Sequence, residues 1–133
     1  MTTVYAREDY LGADEYIDIV RKSGLNRPIE DRGRVERMLA HANLILTARQ
    51  DGKLVGFARS LTDFCFCCYL SDLAVDKACQ GQGIGKRLIE ETRTAAGGAL
   101  TTTLLLSAPT AMSFYQGIKM PQADNCFLYR RER

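Results

Sequence analysis

The run Gln80-Gly81-Gln82-Gly83-Ile84-Gly85-Lys86-Arg87 carries the clearest chemistry in the sequence. It follows an apolar strand-like stretch and opens a helix-like one, with Ile84, Leu88, Ile89 and Thr92 on one face. A glycine-rich turn into a helix start is an anion site, because unpaired N–H groups point at the ligand and the dipole favours negative charge. Gly81, Gly83 and Gly85 lack the Cβ atoms that would hold a phosphate away from the backbone. Lys86 and Arg87 add positive charge. Two nucleotide patterns fail on spacing. A dinucleotide fingerprint started at Gly81 meets Lys86, one started at Gly83 meets Leu88, and positions 100–107 hold no acidic ribose ligand. A P-loop would need glycine at Gln80 and a hydroxyl residue at Arg87.

The other reactive side chains point to little. The five cysteines include the cluster Cys65-Phe66-Cys67-Cys68, where neighbours on a strand face opposite ways and cannot pair locally. They read as buried apolar thiols in a reducing cytoplasm. Cys79 and Cys126 are isolated, so no zinc spacing arises and no metal is expected. His41 is the single histidine, which excludes two-histidine metal sites. It closes an amphipathic helix and reads as a solvated helix end.

The elements that must position the glycine loop follow from periodicity. Asp14 caps a helix to Lys22, and Asp31 opens another with Val35, Met38, Leu39 and Ala42 on one face. Leu44–Arg49 and Leu54–Leu61 form a hairpin across Asp51-Gly52. Phe64–Val75 is a long strand, and Thr101–Ser107 a second one beyond the glycine-loop helix. That strand–helix–strand unit makes the two strands parallel. Pro109 starts a short helix ending near Gly117, and Cys126–Tyr129 is a last strand. The fold class is α/β (α+β), with a mixed sheet covered by helices on both faces.

A length of 133 residues is one domain, and 46% hydrophobic with 26% charged residues is ordinary globular composition. No apolar run approaches the roughly 20 residues that span a bilayer, so no membrane partner is expected. The N-terminus lacks a signal-peptide pattern, which suits a cytoplasmic location. A net charge of +2 is too mild to predict a nucleic-acid surface.

Gln80, Gly83 and Gly85 fill the pattern Q/R-x-x-G-x-G/A after Tyr69-Leu70-Ser71-Asp72-Leu73-Ala74-Val75-Asp76, with Ala111-x-x-Phe114-Tyr115 further on. In these features and in element order the chain resembles the GCN5-related N-acetyltransferase (GNAT) superfamily from about Leu44 to Tyr129. The resemblance implies a single acetyltransferase domain over residues 1–133. Its sheet would be mostly antiparallel with a central, splayed parallel strand pair. It implies acetyl-CoA as co-substrate, with pyrophosphate on the backbone of Gln82, Gly83, Ile84, Gly85 and Lys86 and the pantetheine arm along Leu73 and Val75. Direct transfer to a primary amine of a small molecule or protein follows, and homodimers are common in the family.

Tyr115 matches the family tyrosine that protonates the departing thiolate, a role suited to a phenol. Asp72, inside an apolar strand, either orients or deprotonates the amine through water or pairs with Arg59. Asp63 and Glu30 are further candidates for a cationic acceptor, and Arg27 and Arg59 for a carboxylate. The backbone N–H near Leu73 is the natural oxyanion donor. Lys119-Met120 and Ala108-Pro109-Thr110 depart from the family pattern on the acceptor side. A non-catalytic acyl-CoA-binding or regulatory module on the same fold is the alternative; Tyr115 and a carboxylate near the acyl site favour the enzyme.

Overall fold

The computed structural model describes residues 2–133. Five strands, β1 (Thr3–Arg7), β2 (Leu44–Gln50), β3 (Lys53–Thr62), β4 (Cys67–Val75) and β5 (Thr102–Leu104), form one sheet in the order β1-β2-β3-β4-β5. All neighbours are antiparallel except β4 and β5, which run parallel. The helices are α1 (Ala13–Ser23), α2 (Arg32–His41), α3 (Ile84–Ala95) and α4 (Met112–Gly117).

Strand alternation divides the core in two. Leu44, Leu46 and Ala48 pack with Ile84, Leu88 and Ile89 of α3 on one face. Ile45 and Phe57 pack with Tyr16, Ile19 and Val20 of α1 and Val35 of α2 on the other. Helices on both faces of a mixed sheet are therefore the observed architecture. Asp51 and Gly52 form the two-residue turn of the β2–β3 hairpin, both with positive φ, as primed turns require. Asp31 caps α2, its carboxylate accepting from the Arg34 N–H at 3.0 Å.

Several boundaries differ from the sequence reading. β1 pairs with β2 at the sheet edge, so a strand precedes the two helices. Its Val4 is 60% exposed, and so half-solvated a segment carries little apolar pattern. The N-cap of α1 is Gly12, not Asp14, which lies in the first turn and pairs with Arg32 at 2.6 Å. Strand β4 begins at Cys67, not Phe64. The Asp63 carboxylate accepts from the N–H groups of Cys65, Phe66 and Cys67, which holds that stretch in a turn. Cys65 and Cys67 are consequently exposed, and of the cluster only Cys68 is a buried thiol. Cys126–Tyr129 forms no strand, and Phe127 and Tyr129 stand fully exposed. Strand β5 is accordingly the sheet's far edge, and the parallel pair lies there.

Candidate active site

Strands β4 and β5 pair at only three positions, Cys67 with Thr102, Cys68 with Thr103 and Tyr69 with Leu104. Beyond Tyr69, β4 continues for six residues with no neighbour on that side, which opens a gap in the sheet. The Asp76 N–H bonds Val55 O of β3 at 2.8 Å. Backbone direction alternates along a strand, so Leu73 and Val75 turn their backbone groups into the gap. The Val75 carbonyl is met there by the Gln80 side-chain amide at 3.2 Å.

A bulge aims the side chains. Arg59 pairs with Asp72 and Ser60 with Leu70, leaving Ser71 as the extra residue. Ahead of it Cys68 and Leu70 face α3; past it Ala74 faces α1 and Asp72 reaches α1's Tyr16, while Leu73 and Val75 pack on the α3 side. The extra residue thus carries Asp72 through the sheet, away from the α3 face. Its carboxylate is fully buried and accepts from Arg59 Nε at 2.6 Å, Tyr16 Oη at 2.8 Å and Arg27 Nε at 2.6 Å. Burial pushes this carboxyl up, but the Arg59 and Arg27 guanidiniums outweigh that and hold it below the ordinary carboxylate range. Of the two roles weighed for Asp72, the ion pair is the one realised, and it takes in Arg27 as well as Arg59. Neither arginine is left over to clamp a substrate carboxylate. Asp63 is likewise engaged, capping its own turn. Glu30 remains exposed just before α2.

The glycine loop enters α3 as expected, with altered reasons for its glycines. Gly81 and Gly83 have φ of 83° and 79°, and a Cβ at either would meet nothing within 4 Å. The left-handed backbone at both positions favours glycine. Gly85 is the reverse: a Cβ would lie 2.9 Å from the Phe114 ring, so its absence lets α4 dock on the first turn of α3. Gly83→Ala is expected to cost about 1–2 kcal/mol in urea unfolding, and Gly83→Asn less, because Asn tolerates that conformation better.

The first α3 hydrogen bond runs from Arg87 N to Gly83 O at 3.0 Å, and no side chain caps the helix. The amides of Ile84, Gly85 and Lys86 precede that bond and are open to an anion. Lys86 is exposed beside them. Arg87 turns elsewhere: its Nε meets Glu91 at 2.7 Å and its guanidinium stacks 4.7 Å from the Tyr5 ring centre. Gln82 is tied by its side chain to Gln50 at 3.2 Å.

Tyr115 of α4 is half-buried against the α3-side core, edge-on to Phe114 at 5.0 Å. Burial pushes its phenol above the ordinary tyrosine value, and the Arg27 charge partly opposes this. His41 is exposed at the end of α2, its Nδ1 2.8 Å from Arg37 O. The role of Arg27 escaped the sequence reading, since nothing in a Ser23–Asp31 loop announces a partner 45 residues away.

The sequence and the fold have counterparts among known proteins. Residues 41–118 match the Acetyltransferase (GNAT) domain model. An uncharacterized N-acetyltransferase, ycf52, of Porphyra purpurea is 31% identical over 100 residues, covering 69% of this chain and 54% of the relative. The chain spans between 28% and 68% of the length of the curated relatives it matches. A GNAT-family acetyltransferase from Streptococcus pneumoniae superposes with TM-score 0.75 at 19% identity, covering 98% of this chain and all of that one. The PaiA N-acetyltransferase of Thermoplasma acidophilum, solved with coenzyme A, gives TM-score 0.70 at 17% identity, with 89% of each chain covered. Since the matched domain takes in more than half of its residues, this chain belongs to the GNAT acetyltransferase family.

Proposed function

We propose that the protein transfers an acetyl group from acetyl-CoA directly to a primary amine of a small molecule or protein. One observation carries the reading: β4 runs past the end of β5 with no strand paired on that side, and after the short turn of residues 76–83 the chain enters a helix start that no side chain caps. Strand groups without a sheet partner need one, and the two amides of a pantetheine arm are suited to supply it. The helix start fits its pyrophosphate.

Acetyl-CoA supplies the activated thioester, and the chain's own groups do the rest. Leu73 and Val75 hold the arm by their backbones, and the amides of Gln82 to Lys86, with the Lys86 charge, hold the anion. The Leu73 N–H donates to the carbonyl oxygen as negative charge builds on it. A C–N bond forms and the C–S bond breaks. The amine proton passes to water, and the Tyr115 phenol donates to the leaving sulfur. Asp72 takes no proton, because each oxygen is occupied and both arginines hold it ionised.

Incubation with acetyl-CoA and a panel of amines, read as release of free thiol, tests the assignment. Amine-dependent release is expected. Acetyl-CoA binding without release would leave a non-catalytic binding module, and binding of NADH in place of acetyl-CoA would end the reading altogether.

A further inference from the structure

We propose that Arg27 is a positioning residue for this transfer, clamping the β4 bulge at Ser71 and so tying the α1–α2 loop to the gap beside β5. The inference rests on the acetyl-transfer reading above. A bulge leaves its extra residue without ladder partners, and the half-buried Ser71 carbonyl gains from a substitute. Arg27 supplies it: Nη2 donates to Ser71 O at 2.6 Å, Nε to Asp72 Oδ1 at 2.6 Å and Nη1 to Asn26 O at 2.6 Å.

One rigid plane thus fixes two successive β4 residues and its own loop together. An ammonium group cannot reproduce that fork. Arg59 holds the same bulge from within the sheet, through Ser71 Oγ at 3.1 Å and Asp72 Oδ2 at 2.6 Å. The Arg59 side chain is only 7% exposed, whereas that of Arg27 is 23% exposed and comes from a loop. Arg27 is therefore the half of the clamp that can open without disturbing the core.

Its position gives the clamp a function. Ser71 lies two residues beyond Tyr69, the last position at which β4 pairs with β5, and two before Leu73. Where the bulge sits determines how Leu73 N–H meets an acyl oxygen.

Arg27→Lys and Arg27→Gln test this with two readouts: amide hydrogen exchange across residues 70–74, and separate kcat and KM for acetyl-CoA. Both variants are expected to speed exchange at the bulge and to lower kcat by roughly 10-fold or more, as small misplacements of reacting groups do. The acetyl-CoA KM should change less than kcat, because the anion contacts at the helix start are untouched and only the Leu73 part of the arm site lies in the loosened stretch. Parent-like kcat and exchange in Arg27→Lys would show that a point charge suffices and would overturn the clamp. Faster exchange with unchanged kcat would overturn its role in transfer. Should the parent itself release no thiol with any amine, the acetyl-transfer reading fails and this one fails with it; normal turnover in parent and variants alike fails this one alone.

Discussion

Tyr115→Phe is expected to lower kcat by about 10²–10⁴-fold, the range that a positioned proton donor contributes, while acetyl-CoA affinity changes by less than about twofold. The substitution removes one oxygen and keeps the ring edge-on to Phe114, so α4 should remain docked on Gly85. The phenol suits the task because burial raises its pKa above the ordinary tyrosine value, against a smaller opposing influence from Arg27. It stays protonated through the neutral range, so its proton is in place as the C–S bond breaks and charge builds on the sulfur. The sign for pH dependence follows. The parent's kcat/KM should rise with pH as the acceptor amine loses its proton, and loss of the phenol proton should cause no decline until pH exceeds the ordinary tyrosine range. A Phe variant with the parent's kcat would remove Tyr115 from the chemistry.

The glycine loop was legible because its signal is local: positive-φ positions, a helix start and basic residues all fall within eight consecutive residues. The βαβ unit around it was legible for the same reason. The gap in the sheet followed only from the family resemblance, as a splayed parallel pair, and not from residue spacing. Thr101–Ser107 reads as one strand, yet only Thr102–Leu104 pairs with β4, and where two parallel strands part is not written in the local pattern of either. The capping role of Asp63 was not legible, because an acidic residue in a turn looks the same whether it faces solvent or gathers three backbone amides. Asp72 was the residue whose burial was readable and whose partners were only half so. The β3–β4 pairing suggested Arg59, while Arg27 depends on how α1 and α2 pack across the sheet. Gly85 lies in the anion loop and also receives the Phe114 ring, a contact between separate helices that no spacing encodes.

Asp72→Asn is expected to destabilise the fold by about 3–5 kcal/mol, the usual consequence of breaking a buried ion pair from one side. The reason is what remains. Arg59, 7% exposed, would keep its charge with a neutral amide beside it, and the new N–H groups would face guanidinium donors. Removing both signs together should do less harm, so Asp72→Leu with Arg59→Met is predicted to recover part of the loss in urea unfolding. Protonation offers the same test without a mutation. Burial acts to raise the Asp72 pKa, but the Arg59 and Arg27 interactions leave it depressed in the folded state. A depressed carboxylate contributes its stability above the pKa of the unfolded chain, and that contribution is lost as pH falls through the folded value. The stability difference between parent and Asp72→Asn should therefore be constant near neutrality and shrink only below the ordinary carboxylate range. Glu8 and Asp63 are also depressed by their own partners, so the parent's acid unfolding alone would mix three groups. The difference between the two proteins isolates Asp72, and a difference independent of pH down to acid unfolding would mean that the arginines do not hold this carboxylate.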